Sequence, residues 1–274
     1  MLHGWLNDTM HPLIEPEELA GRLGQVKVID IRWALTDPNH GRAVYSEGHL
    51  PGAVFADLDR DLSGPPGPGR HPLPEIEVFA GTLGRLGLGP DDEVVAYDDM
   101  GGTVAARMWW MLRSIGHWRS RLLNGGYQAW VRDGHPVEQG DVIPTPTVYP
   151  TPLRGFTGTV ERDRLGEGVL IDARAPQRYR GEIEPVDPKP GHIPGAINRP
   201  TAANLGPDGR FLDGSELAAI YSDLGDRVVV SCGSGVNGCH DAVAMMLAGL
   251  EMPGLYVGSY SEWSSLDLPV ETGQ

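Results

Sequence analysis

Cysteine is nearly absent from this chain: 274 residues hold two, Cys232 and Cys239. Two cysteines cannot build a disulfide framework, and their spacing fits no zinc template, so no metal and no cofactor are expected and a reducing cytoplasm is the natural setting. Positive charge is also scarce. With 22 Lys and Arg against 37 Asp and Glu, the formal net charge is −15, which disfavours nucleic acid and anionic membrane surfaces as partners. No apolar run approaches the roughly eighteen residues of a membrane span. The start, MLHGWLNDTMHPLIEPEELAG, lacks a basic region followed by an apolar core, so no secretory leader is expected. What is present is ordinary for a globular protein: 40% hydrophobic and 22% charged residues, with a length that suggests about two domains.

The stretch Arg227-Val-Val-Val-Ser-Cys232-Gly-Ser234-Gly-Val-Asn237-Gly-Cys239-His240 concentrates the chemistry. Val228 to Val230 is a β-branched run that reads as a buried strand, and Asp241 to Leu250 (DAVAMMLAGL) reads as a helix. Between them a glycine-rich turn opens with Cys232. A cysteine at that strand end faces loop N–H groups and a helix start, which favour a thiolate, and the thiolate is the nucleophile. Gly233, Gly235 and Gly238 let the backbone approach an anion, and Asn237 is a candidate N-cap. The competing reading of Cys232 is a small buried hydrophobe. Gly233-x-Gly235-x-x-Gly238 also matches a dinucleotide-binding fingerprint, but only 36 residues follow Gly238. The next strand-like run, Leu255 to Val257, ends in Gly258-Ser259 rather than in the acidic residue that motif needs.

Along the chain, helices are expected at 16–24, 75–87 and 103–116 and strands at 26–31, 93–97 and 120–123. A Gly/Pro-rich loop occupies 63–74, and 141–156 reads as a proline-rich linker. The pattern then repeats. Asp172-Ala-Arg174 echoes Asp30-Ile-Arg32, and Gly191-His-Ile-Pro-Gly-Ala196 echoes Gly48-His-Leu-Pro-Gly-Ala53. Val257-Gly-Ser-Tyr-Ser-Glu-Trp263 echoes Asn124-Gly-Gly-Tyr-Gln-Ala-Trp130, and Cys232 falls where the first copy has Asp98. Offsets of 133 (Asn124 to Val257) to 143 (Gly48 to Gly191) are too long for a solenoid and mean a duplicated domain. Each copy alternates strands and helices, which predicts α/β architecture with a mostly parallel sheet flanked by helices. The expected domains are 1–140, without thiol chemistry because of Asp98, and 157–274.

With both copies of Asp-x-Arg and Gly-His-x-Pro-Gly-Ala in view, the chain resembles the tandem-domain rhodanese family of sulfurtransferases over nearly its whole length. Its Cys232-Gly-Ser-Gly-Val loop is most similar to the 3-mercaptopyruvate branch; the thiosulfate branch carries basic residues there. The resemblance implies a persulfide on Cys232 and a proton relay of Ser234, His71 and Asp59. It also implies substrate binding by Arg178 and by the loop residues Gly233, Gly235, Val236 and Asn237. Read without it, Asp59 is a solvated loop acid, His71 a loop histidine, Ser234 a small residue in a tight turn, and Arg178 a surface helix residue. His49 and His192, inside the repeated turn element, are expected to hydrogen-bond that turn. Two departures stand out: Asn237 replaces the branch's threonine, and Val186 stands where a second substrate-binding arginine is usual.

The expected chemistry is attack of the Cys232 thiolate on a donor's terminal sulfur, expelling pyruvate enolate or sulfite, followed by transfer to a thiol, thioredoxin or cyanide. Thiosulfate is the alternative donor. Cysteine phosphatase chemistry needs an arginine six residues after the cysteine, where Gly238 stands. A non-enzymatic tandem binding module is the remaining alternative, strongest for 1–140.

Overall fold

The computed structural model describes residues 10–273, so most of the stretch read for a leader lies within it but residues 1–9 do not. The chain divides into two compact units. The first comprises the described residues up to Leu62, Glu75–Thr157 and Asp208–Arg210; the second comprises Ser63–Pro74, Gly158–Pro207 and the chain from Phe211 onward. The Gly/Pro-rich loop at 63–74 therefore packs with the second unit.

In the first unit the order is β1 (Leu13–Ile14), α1 (Pro16–Ala20), β2 (Lys27–Asp30), α2 (His40–Glu47), β3 (Val54–Phe55) and α3 (Leu58–Asp61). It continues with α4 (Ile76–Arg85), β4 (Val94–Tyr97), α5 (Ala105–Ser114), β5 (Ser120–Leu123) and α6 (Gly126–Arg132). The strands lie in the order β1-β5-β4-β2-β3, and every pairing is parallel. All four residues of β4 are buried, as an apolar run must be when helices cover both faces of a parallel sheet. α1 stops at Ala20, short of the Gly24 read from sequence, and Gly21 takes the C-cap position.

The second unit contains β6 (Val169–Asp172), α7 (Pro176–Tyr179), β7 (Ile197–Asn198), α8 (Gly214–Tyr221), β8 (Val228–Ser231), α9 (Asn237–Leu247), β9 (Gly254–Leu255) and α10 (Ser259–Ser265). Its sheet runs β7-β6-β8-β9, again with parallel pairings. From β6 the chain moves outward to β7, and from β8 it moves outward the other way to β9. The carboxyl ends of β6 and β8 therefore flank the point where the winding reverses, the usual place for a ligand in an open α/β sheet. Cys232 follows β8 there.

The duplicated motifs are revealed as one clamp built twice. Arg174 grips Asp172 through Nε (3.0 Å to Oδ1) and Nη2 (2.6 Å to Oδ2), and Nη2 also donates to the Gly191 carbonyl at 2.7 Å. Arg32 does the same with Asp30 (3.1 and 2.7 Å) and the Gly48 carbonyl (2.6 Å). The guanidinium thus ties a strand end to the Gly-His-x-Pro-Gly-Ala turn. It also lies against the tyrosine of the last repeated motif, Arg174 at 3.7 Å from the Tyr260 ring centroid and Arg32 at 4.2 Å from that of Tyr127. The repeated histidines are structural: His49 stacks on Tyr45 and His192 on Tyr179. His49 Nδ1 pairs with the Leu50 carbonyl inside its turn, whereas His192 Nδ1 pairs with the Tyr179 carbonyl at the end of α7.

α9 corrects four expectations. It starts at Asn237, four residues before the predicted Asp241. The N-cap falls on Val236, so Asn237 is the first helical residue and not the cap. It ends at Leu247, because Gly249 adopts a left-handed φ of 79° and closes it. Gly238, read as a loop glycine near an anion, is helical. A Cβ there would meet Leu255 Cδ1 at 3.2 Å, so it serves helix-on-sheet contact. Among the described residues no helix is long and apolar enough to cross a membrane.

Beside Cys239 on this helix, Asp241 is fully buried. Its Oδ1 accepts from Asn204 Nδ2 at 2.9 Å, and its Oδ2 has no partner among the described residues. Burial pushes its carboxyl well above the ordinary range, the Asn204 bond offsets this only partly, and the Asp172 charge adds to it. The folded state therefore holds a proton that the unfolded state releases. The stability Asp241 contributes is fully present below the ordinary Asp value of 3.8 and is lost as pH rises toward the folded-state value. In Asp241→Asn, unfolding free energy measured at pH 5 and pH 8 should fall less with pH than in wild type, by about 1 kcal/mol or more. Parallel pH curves for the two proteins would contradict this reading.

Candidate active site

Cys232 leaves β8 buried, and the loop bends back over it. The Ser234 N–H points at Cys232 Sγ at 3.4 Å, a backbone donor aimed at sulfur. The loop is held from below by the start of α10. The Tyr260 and Ser261 N–H groups donate to the Cys232 and Gly233 carbonyls at 3.0 and 2.8 Å, and Ser259 Oγ accepts from the Cys232 N–H at 3.0 Å. First-turn N–H groups have no partner within their own helix, and here two of them fix the cysteine loop. Ser259 carries a φ of 50° in doing so, a position unusual for a residue with a Cβ. Gly235 is required by space as well as by conformation. Its φ is 72°, and a Cβ would lie 2.5 Å from the Val257 carbonyl oxygen.

Ser234 reaches out of the loop to His71, its Oγ 2.8 Å from Nδ1, and both side chains are buried. His71 comes from the 63–74 loop, whose return is closed by the Gly64 N–H donating to the Pro72 carbonyl. On the neighbouring side stands a cluster of opposite charges. Arg178 Nη2 pairs with Glu184 Oε1 at 2.7 Å and with Asp187 Oδ2 at 2.9 Å. Glu184 also accepts the N–H groups of Val186 and Asp187, which folds 184–187 into a tight turn. Burial works against the Glu184 charge, but the Arg178 hydrogen bond and these two N–H donors outweigh it and hold the carboxyl below its usual range. Asp187 goes the other way: burial raises it against the pull of Arg70 and Arg178.

The equivalent loop of the first unit holds its own anion. The Asp98 carboxylate accepts four backbone N–H groups, from Met100, Gly102, Val104 and Ala105, at 2.6 to 2.8 Å. The cradle geometry survives there, but a carboxylate fills the place of the thiol.

Residues 15–133 and 160–266 each match the family model described as "Rhodanese-like domain". The chain belongs to the rhodanese family. Its relatives cover both donor branches. It is 43% identical to a Pseudomonas aeruginosa protein named "Probable 3-mercaptopyruvate sulfurtransferase", over 95% of this chain and 98% of that one. It is 36% identical to the thiosulfate sulfurtransferase of Mus musculus, over 89% and 87%. Among solved structures, the 3-mercaptopyruvate sulfurtransferase from Leishmania major superposes with a TM-score of 0.85 at 31% identity, over 95% of this chain and 76% of that one.

In this rhodanese the second unit brings Cys232, Gly233, Ser234, Gly235, Val236, His71 and Arg178 into one neighbourhood, with Asn237 starting the helix behind them. Asp59 lies in the first unit, where its Oδ2 accepts from Trp33 Nε1 at 2.8 Å. Three participants escaped sequence reading. Glu184 and Asp187 flank Val186, and acidic residues by themselves carry no signal of an anion-binding neighbourhood. Ser259 stands in the last repeated motif, where its counterpart Gly126 gave no hint of a side-chain role. Cys239 is buried, and its Sγ donates to the Gly235 carbonyl at 3.3 Å, a structural thiol bracing the loop.

Proposed function

We propose that this rhodanese is a sulfurtransferase that moves sulfane sulfur from 3-mercaptopyruvate to a thiol acceptor through a persulfide on Cys232. The observation that carries the reading is the Ser234 geometry: its N–H faces Cys232 Sγ while its hydroxyl is bonded to His71. The thiolate attacks the donor's sulfur, the carbon–sulfur bond breaks, and its electron pair leaves on pyruvate enolate. The Ser234 N–H stands where persulfide charge develops. The enolate carbon then takes a proton, which Ser234, backed by His71, is placed to supply. A second nucleophile attacks the outer sulfur, the S–S bond breaks and Cys232 leaves as its thiolate; a small thiol, thioredoxin and cyanide are candidates. The Arg178 guanidinium serves the donor carboxylate. The backbone-lined loop without a cation between Cys232 and Asn237, together with the name of the Pseudomonas relative, favours this donor over thiosulfate.

Thiosulfate remains the second reading, supported by the name of the mouse relative. Sulfite leaves as an anion and needs no proton. The relay therefore separates the donors: Ser234→Ala should lower kcat on 3-mercaptopyruvate by about 100-fold and change thiosulfate turnover by less than about threefold. Pyruvate and sulfite release by the purified protein measure both. Equal losses on the two donors would remove Ser234 from proton transfer, and faster wild-type turnover on thiosulfate would reverse the donor assignment.

A further inference from the structure

The cysteine loop is faced by two guanidiniums, of which Arg178 is the first. The second is Arg70, from the 63–74 loop. We infer that Arg70 is the second anion-gripping residue of the donor site and sets its affinity for a carboxylate-bearing donor. This rests on the sulfurtransferase reading above.

The geometry is specific. Asp187 bridges the two arginines, Oδ1 accepting from Arg70 Nη1 and Oδ2 from Arg178 Nη2. Both heads stand over Gly233, the residue next to Cys232. A Cβ built on Gly233 would lie 2.7 Å from Arg70 Nη2 and 3.6 and 3.9 Å from Arg178 Nη1 and Nη2. A side chain at 233 would therefore have to displace the Arg70 head, whereas the Arg178 head would stay in ordinary contact. Arg70 is fixed from behind, because its backbone N–H donates to Ser261 Oγ at 3.1 Å. Gly69 sits so close to α10 that a Cβ would be 3.1 Å from the Gly258 carbonyl.

Asp187 occupies only one edge of the Arg70 guanidinium. The other edge is the fork of Nε and Nη2, and Nε is buried without a hydrogen-bond partner among the described residues. A buried, unpaired N–H on a cation is costly to leave unmade, and this fork has the spacing that receives a carboxylate through two parallel bonds. Arg70, Arg178, Asp187 and Glu184 together carry no net charge, so a monoanion is a better fit than a dianion. Asp187 holds both arginines in place before the donor arrives.

The test is steady-state kinetics of Arg70→Gln and Arg70→Lys with 3-mercaptopyruvate, together with thermal melts. Arg70→Gln should raise KM about 10- to 100-fold with kcat within about threefold, and Arg70→Lys should recover only part, because an ammonium cannot form the fork. A structural role would instead lower the melting temperature and kcat without this split. Unchanged KM in both variants, with wild type turning over, overturns the assignment of Arg70 alone. No pyruvate release by wild type overturns the sulfurtransferase reading, and the Arg70 role with it.

Discussion

Cys232→Ser should abolish sulfur transfer, by at least about a thousandfold, while Cys239→Ser keeps most of it. Both cysteines are buried and seven residues apart, so sequence distance does not separate them; their contacts do. Cys232 Sγ is approached by the Ser234 N–H, and Ser234 in turn by His71. A serine hydroxyl there has neither the acidity nor the polarisability to take up sulfur. Cys239 Sγ instead donates to the Gly235 carbonyl from inside α9, a bond a serine hydroxyl can also make. Intact-mass measurement after donor treatment should show one added sulfur, about 32 Da, on wild type and Cys239→Ser and none on Cys232→Ser. An adduct of equal occupancy on Cys232→Ser would move the persulfide elsewhere.

Arg174→Met should destabilise the protein by about 3–5 kcal/mol, the largest loss of stability expected from a single polar change in the second unit. The side chains of Arg174 and Asp172 are 2% and 1% exposed, so removing the cation strands a carboxylate in the interior. The same substitution frees the Gly191 carbonyl and takes the guanidinium from the Tyr260 ring. Most of the cost comes from the orphaned charge rather than from a lost attraction. Adding Asp172→Asn to Arg174→Met should therefore recover a measurable part of it. Urea denaturation of the single and double variants decides the matter. A single variant within about 1 kcal/mol of wild type would mean that water reaches Asp172 and the clamp is not closed in solution.

The duplication was open to sequence reading because a repeat keeps whatever the backbone cannot do without. Asp-x-Arg, Gly-His-x-Pro-Gly-Ala and the tyrosine-tryptophan element recur because one guanidinium binds all three together. The strand before Cys232 was equally legible, since a β-branched run between helices in a parallel sheet has no polar face to obscure it. Helix limits were less so. Asn237 has the chemistry of a cap, but the glycine turn brings the helix on one residue earlier, and the cap position passes to a valine that contributes no side-chain bond.

What the sequence by itself determined is local and periodic: two α/β copies, a thiol in one cradle, and a carboxylate in the other. The tertiary structure alone decided which charges stand over the loop that carries that thiol. Residues 70 and 187, separated by more than a hundred positions, form an ion pair because the 63–74 loop packs with the second unit. No periodicity in sequence encodes that, since a loop's destination depends on where its backbone groups find partners. The Ser261 hydroxyl and the Ser234–His71 bond supply those partners, and so place Arg70 over Gly233, the residue after Cys232.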